Sequence, residues 1–142
     1  MQLSVRGMII KKFFQQIGQY FNNVGIDIYA IMPNHIHAII IIKDVVDVDN
    51  GVVNYCRDGV IPSLQMEKSA INKPTLGQII GYFKYQTTKN INQINKTVGI
   101  KIWQPRYYEH IIRDDDGLNK IRQYILNNPK NWNLDKNNPE HC

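Results

Sequence analysis

The stretch His35–Ile36–His37–Ala38–Ile39–Ile40–Ile41–Ile42 decides the architecture, together with Asp27–Ile28–Tyr29–Ala30–Ile31–Met32 just before it. Both runs are rich in β-branched and aromatic residues, and Pro33–Asn34 between them is a turn signal. They predict an antiparallel hairpin over 27–32 and 35–42. Because strand side chains alternate, His35 and His37 project from one side of the sheet and Ile36 from the other. Two imidazoles on one face can converge on one ion or one phosphate group. The plain alternative is a pair of exposed histidines near a turn.

Upstream of the hairpin, Met8, Ile9, Phe13, Phe14, Ile17 and Tyr20–Phe21 recur at helical spacing, with Lys11, Lys12, Gln15 and Gln16 opposite. This predicts an amphipathic helix from about Val5 to Phe21. Downstream, residues 43–74 mix Asp, Gly, Asn, Ser and Pro with isolated valines and show no sustained period, which reads as a long loop insertion. Helical spacing returns over Thr75 to Ile94, where Leu76, Ile79, Ile80, Phe83 and Thr87 share one side and Lys84 and Lys89 fall on the exposed face. Thr75 suits the N-cap. Tyr107 to Ile112 reads as a further strand. Asp114–Asp115–Asp116 then precede a helix in which Leu118, Ile121, Ile125 and Asn128 share a face; acids favour a helix N-terminus and Pro129 ends the segment. A polar tail runs from about 133. The order is helix, two strands, helix, strand, helix, so the class is α+β and residues 1–142 form one domain.

Composition bounds the rest. The chain has 142 residues, 43% hydrophobic and 20% charged, which suits one globular core. No apolar run approaches the roughly 20 residues of a membrane span, and no signal-peptide core follows Met1, so a cytoplasmic protein is expected. Cys56 and Cys142 have no metal-type spacing and read as free thiols. The net charge of +5, from 17 Lys and Arg against 12 Asp and Glu, is not evenly spread. Between Lys73 and Arg113 stand seven basic residues and one acid, Glu109, a local +6. Tyr82, Phe83, Tyr85, Trp103, Tyr107 and Tyr108 interleave with them. Positive charge with stacking faces suits nucleic acid; a solvated basic surface is the bland reading.

The last helix adds chemistry to the His pair. Tyr124 and Asn128 are four residues apart, so a phenol and an amide project from adjacent turns of one face. An amide oxygen added to His35 and His37 gives a neutral His–His–Asn set with open positions, suited to Mg²⁺ or Mn²⁺, with Zn²⁺ also open. Read structurally instead, Tyr124 is an amphipathic residue at the core edge beside Ile121 and Ile125, and Asn128 a helix-end residue before Pro129.

Four blocks carry a family likeness. They are Ile31–Met32–Pro33–Asn34–His35–Ile36–His37; Leu76–Gly77–Gln78–Ile79–Ile80 leading to Phe83–Lys84; Ile102 through Arg113 with Trp103–Gln104–Pro105–Arg106; and Ile121–Arg122–Gln123–Tyr124–Ile125–Leu126–Asn127–Asn128–Pro129. Together, and in this order, they resemble the single-tyrosine HUH transposases of the IS200-like group, most of all the REP-associated tyrosine transposases. The resemblance implies a ferredoxin-like antiparallel sheet with helices on one face. It implies that His35, His37 and Asn128 hold a divalent metal (Mg²⁺ or Mn²⁺) and that Tyr124 attacks a DNA phosphate. The implied activity is nicking and strand transfer on single-stranded DNA with hairpins, through a 5′-phosphotyrosine.

Lys84, Lys89, Arg106 and Arg113, within or beside these blocks, are the expected DNA-backbone contacts. Trp103 and Tyr107–Tyr108 are candidate stacking residues. Family members begin with a strand ahead of the first helix, and here Met1–Gln2–Leu3 stands directly before that helix, so a sheet lacking its first strand is expected. The alternative function is a hairpin-binding remnant that no longer cuts, and a weaker one a zinc nuclease or regulator using His35, His37 and His110. Monomer and homodimer are both left open.

Overall fold

The computed structural model describes residues 2–44, 73–135 and 138. Its elements are α1 (Val5–Tyr20), β1 (Val24–Ile31), β2 (Ile36–Ile42), α2 (Leu76–Ile94), α3 (Asp115–Asn127) and a 3-10 turn, Trp132–Leu134. The loop insertion expected at 43–74 lies mostly outside the described residues, as do Cys56 and Cys142. At its flanks, Lys73 is ion-paired with Asp44.

Each helix starts where local chemistry says it should. Ser4 Oγ accepts from the Gly7 N–H at the start of α1. Thr75 and Gln78 form a reciprocal capping box at α2: the Gln78 N–H donates to Thr75 Oγ1 and the Thr75 N–H to Gln78 Oε1. Asp114 Oδ1 accepts from the Gly117 N–H at 2.6 Å, and Asp115 and Asp116 occupy the first turn of α3.

β1 and β2 pair antiparallel, from Val24 with Ile42 to Ile31 with Ile36. The turn between them is closed by the Met32 N–H donating to the His35 carbonyl. The register shifts between Ile26 and Ile28, a bulge centred on Asp27. The fold is thus α+β with an open antiparallel sheet, compatible with part of a ferredoxin-like arrangement, and α1 is its first described element.

The sheet packs on both sides. On one, Ile10, Phe13, Phe14 and Ile17 of α1 meet Ile79 and Phe83 of α2 over Val24, with Ile36, Ala38 and Ile40 of β2 beneath. Phe14 stacks on Phe83 at 5.3 Å between centroids, and Phe83 meets Trp103 at 5.0 Å. Trp103 is tied further by its Nε1–H donating to Thr87 Oγ1 at 2.9 Å, while the Thr87 hydroxyl donates to the Phe83 carbonyl. On the other side, Ile125 of α3 packs with Ala30, Met32 and Ile39, joined by Ile112, Leu118, Ile121 and Trp132. The helical layer over Ile36 and Ala38 is therefore α1 with α2, and α3 lies across the face of His37 and Ile39, so helices cover both faces of the described sheet and not one as the resemblance implied, because Ile125 has its apolar partners on that second face.

One expected element does not form. Tyr107 to Ile112 has strand-like composition but belongs to no strand, and Tyr108 is 91% exposed. The reason is pairing. A strand persists only where its N–H and C=O groups find a ladder neighbour, and among the described residues the sheet contains only β1 and β2.

Candidate functional site

The hairpin turn positions the first half of the site. His35 ends the turn and His37 is the second residue of β2, and the alternation expected from sequence places both on the α3 side of the sheet. Their Nε2 atoms stand 3.0 Å apart, one N–H donating to the other ring's lone pair. His35 Nδ1–H donates to Asn34 Oδ1 at 2.6 Å, which leaves the lone pair of His35 on Nε2, facing His37. Burial holds the pKa of both imidazoles below the ordinary histidine value, for His37 with help from the neighbouring His35 charge; the carboxylate of Asp135 pulls both the other way. Neutral imidazole is the form that binds a metal.

The second half comes from α3. The Tyr124 ring packs edge-on against His37, centroids 5.4 Å apart and planes at 78°. Its side chain is otherwise open, the residue being 56% exposed. Asn128 follows one turn later and is buried, with its Nδ2 lacking any hydrogen-bond partner. Trp132 closes the far side of His35 at 6.0 Å between centroids.

A polar tether sets where α3 lies. Arg122 grips Asp27 with two parallel hydrogen bonds, Nε to Oδ2 at 2.7 Å and Nη2 to Oδ1 at 2.9 Å. The bulge makes this possible, because Asp27 and the next residue, Ile28, both engage the α3 side. The guanidinium hydrogen bonds hold the Asp27 carboxyl below its ordinary range. Sequence reading missed this pair; Asp27 sits in a strand-like run and no local pattern points to a residue 95 positions away.

The histidine pair offers two nitrogen donors to a divalent ion. The two Nε2 atoms, 3.0 Å apart in a hydrogen bond, are close enough for one ion to take the place of the proton between them. The Asn128 amide is buried with its Nδ2 unpartnered, and which end of that amide is oxygen is interchangeable by a flip. Among the described residues, no group of three or more His, Cys, Asp or Glu side chains could hold a metal ion. In particular His110 does not complete a His35–His37 set; it is exposed in the unpaired 107–112 segment.

The expected DNA contacts divide. Lys89, Arg106 and Arg113 are exposed. Lys84 is half-buried and donates to the Gln104 carbonyl at 2.7 Å and the Arg106 carbonyl at 3.3 Å, with its ammonium 5.7 Å from the Tyr107 ring centroid. That makes Lys84 the staple of the 104–106 segment. Trp103 is core, as its contacts above show, whereas Tyr108 stands free for stacking. Between α2 and residues 99–105 lies an open groove of about 400 Å³ lined by Lys89, Lys101, Tyr85 and Trp103 among others.

Fold and site together define an α+β domain in which a histidine pair on a hairpin meets a tyrosine on a helix laid across the same sheet face. Among known proteins, the chain is 33% identical over 136 residues to an uncharacterized protein of Haemophilus influenzae, covering 96% of this chain and 71% of that protein. The chain belongs to the family of that protein. No protein-family model matches the chain, and no solved structure does. Among the described residues no helix is long and apolar enough to cross a membrane.

Proposed function

We propose that this protein is a metal-dependent, single-tyrosine DNA nicking and strand-transfer enzyme of the HUH transposase type, acting on single-stranded DNA with hairpins. One observation carries the reading: the Tyr124 phenol stands against His37, whose Nε2 meets that of His35. A nucleophile and a pair of neutral nitrogen donors thus share one open site.

The chemistry follows from these groups. Tyr124 Oη attacks the phosphorus of a backbone phosphodiester, a P–O bond to Tyr124 forms, and the bond from phosphorus to the 3′ oxygen breaks. The phenol proton passes to water, which reaches the exposed side chain, and the leaving 3′ oxygen takes up a proton. The products are a 5′-phosphotyrosine and a free 3′-hydroxyl; attack by another 3′-hydroxyl reverses the step and rejoins strands without ATP. A phenol has an ordinary pKa near 10, so attack needs charge on the phosphate to be offset. His35, His37 and Asn128 would hold a Mg²⁺ or Mn²⁺ ion, which would supply that offset when bound. Asn34 fixes the His35 tautomer, and Arg122 with Asp27 fixes the height of α3 and so of Tyr124. Lys89, Arg106 and Arg113 offer charge to the DNA backbone, a sequence-independent and salt-sensitive contribution.

The test is incubation with hairpin-containing single strands and Mn²⁺ or Mg²⁺. A covalent protein–DNA adduct is expected, and Tyr124→Phe abolishes it. An adduct that persists in Tyr124→Phe removes this residue from the role. Salt-sensitive hairpin binding with no adduct under either metal indicates a binding remnant instead.

A further inference from the structure

The turn out of α2 builds a groove on the side of the sheet away from the histidines. After Ile94 the chain reverses through two left-handed positions, Lys96 at φ 55° and Gly99 at φ 71°. The return then runs antiparallel to the helix, and side chains fix it at three levels. The Thr97 hydroxyl donates to Asn92 Oδ1 at 2.9 Å, and Asn92 Nδ2–H donates to the Ile100 carbonyl at 3.0 Å. Trp103 Nε1–H donates to Thr87 Oγ1 at 2.9 Å, and Lys84 donates to the Gln104 carbonyl at 2.7 Å. The groove of about 400 Å³ between helix and return is therefore preformed, and Trp103 seats it on the layer made by α1 and α2.

Two chemistries line it. Tyr85 and Ile100, each about half exposed, join Ile102 and Trp103 as apolar and aromatic surface. Lys89 on the helix and Lys101 on the return are both exposed and stand on opposite walls, and no acid is among the described lining residues. A ligand that matches such a groove is flat and apolar on its faces and negative at its ends, which describes a nucleobase between its phosphates. In a duplex the base faces are hidden in the stack, so only an unpaired strand offers both features at once. The volume is that of a small-ligand pocket, enough for a nucleotide and too small for a duplex or a folded partner.

We propose that this groove binds an unpaired stretch of single-stranded DNA, with a base against Tyr85 and Trp103 and the flanking phosphates at Lys89 and Lys101. It is a second nucleic-acid site, separated from His35, His37 and Tyr124 by the sheet, and it needs neither a metal nor a nick. It anchors a strand by a segment other than the one that reaches Tyr124.

The experiment uses the full chain in EDTA, with a fluorescein-labelled oligo-dT strand read by anisotropy and a fully paired, blunt-ended hairpin as competitor. Oligo-dT is expected to bind and the blunt hairpin to compete poorly. Tyr85→Ala should weaken binding on the order of tenfold without changing the slope of log affinity against log salt, and Tyr85→Phe should bind as the wild type does. Lys101→Ala should instead lower that slope by about 0.7. Tyr124→Phe and His37→Ala should leave oligo-dT binding unchanged, so the groove is judged apart from the nicking reaction. Ultraviolet crosslinking of the wild type to a strand carrying 5-iododeoxyuridine, mapped by mass spectrometry, should mark the peptide of Tyr85 or of Trp103 and requires no variant to fold. The proposal is overturned by a wild type that binds no oligo-dT, by a blunt hairpin that competes equally, by a folded Tyr85→Ala of unchanged affinity, or by crosslinks confined to residues outside 85–103.

Discussion

The two faces of the small sheet are built on opposite principles. Over Ile36, Ala38 and Ile40, α1 and α2 each bury five residues and interlock through Phe13, Phe14 and Phe83. Across His37 and Ile39, α3 buries Ile125 alone within its span and is held by the Asp27–Arg122 grip. The first face supplies cohesion. The second is lightly packed and polar, and it presents the histidines, Tyr124, Asn128 and Asp135. The proposed chemistry would stand where packing is thin, because an open ligand position and an accessible nucleophile are incompatible with a filled core.

If the division is right, the two faces fail differently. Phe83→Ala removes a ring that touches Phe13, Phe14 and Trp103, and is expected to destabilise the fold by about 3–5 kcal/mol, seen as a lower denaturant midpoint. Arg122→Ala should leave that midpoint much closer to wild type yet slow adduct formation by on the order of ten- to a hundredfold, because Tyr124 loses its registration over His37. A large drop in stability with little loss of rate would invert the comparison.

Acid should separate the faces as well. The Asp27 carboxyl is held below its ordinary value by the Arg122 hydrogen bonds, so its stabilisation is present above the unfolded value of about 4 and is lost as pH falls through the folded one. Loosening of α3 below about pH 4 is expected in Trp132 fluorescence, and Asp27→Asn should abolish that step.

The smallest effects concern the lysines. Lys89→Ala should reduce the slope of log affinity against log salt for single-stranded DNA by about 0.7. Lys84→Ala should instead lower the melting temperature, since Lys84 braces the carbonyls of residues 104–106.

What the sequence revealed divides along the range of the interactions. The hairpin, the three helices, the Thr75 cap and the shared face of His35 and His37 are local patterns of period 2 or 3.6, and each stands where periodicity put it to within a few residues. Tyr107 to Ile112 failed because pairing is not local, and Lys84 was read as exposed because helical spacing ignores a loop that folds back onto it. The bulge at Asp27, the grip of Arg122 and the approach of Asp135 to His35 all depend on contacts between segments far apart in the chain. The tether and the acid were therefore invisible until α3 and the turn after it were laid across the sheet.

The central claim is that Tyr124 forms the covalent bond, and peptide mapping tests it most directly. After incubation with a hairpin-containing single strand and Mn²⁺, nuclease trimming and proteolysis, mass spectrometry is expected to find the phosphonucleotide on the peptide carrying Tyr124. A modified peptide carrying another residue in its place, with the Tyr124 peptide unmodified, would contradict the account.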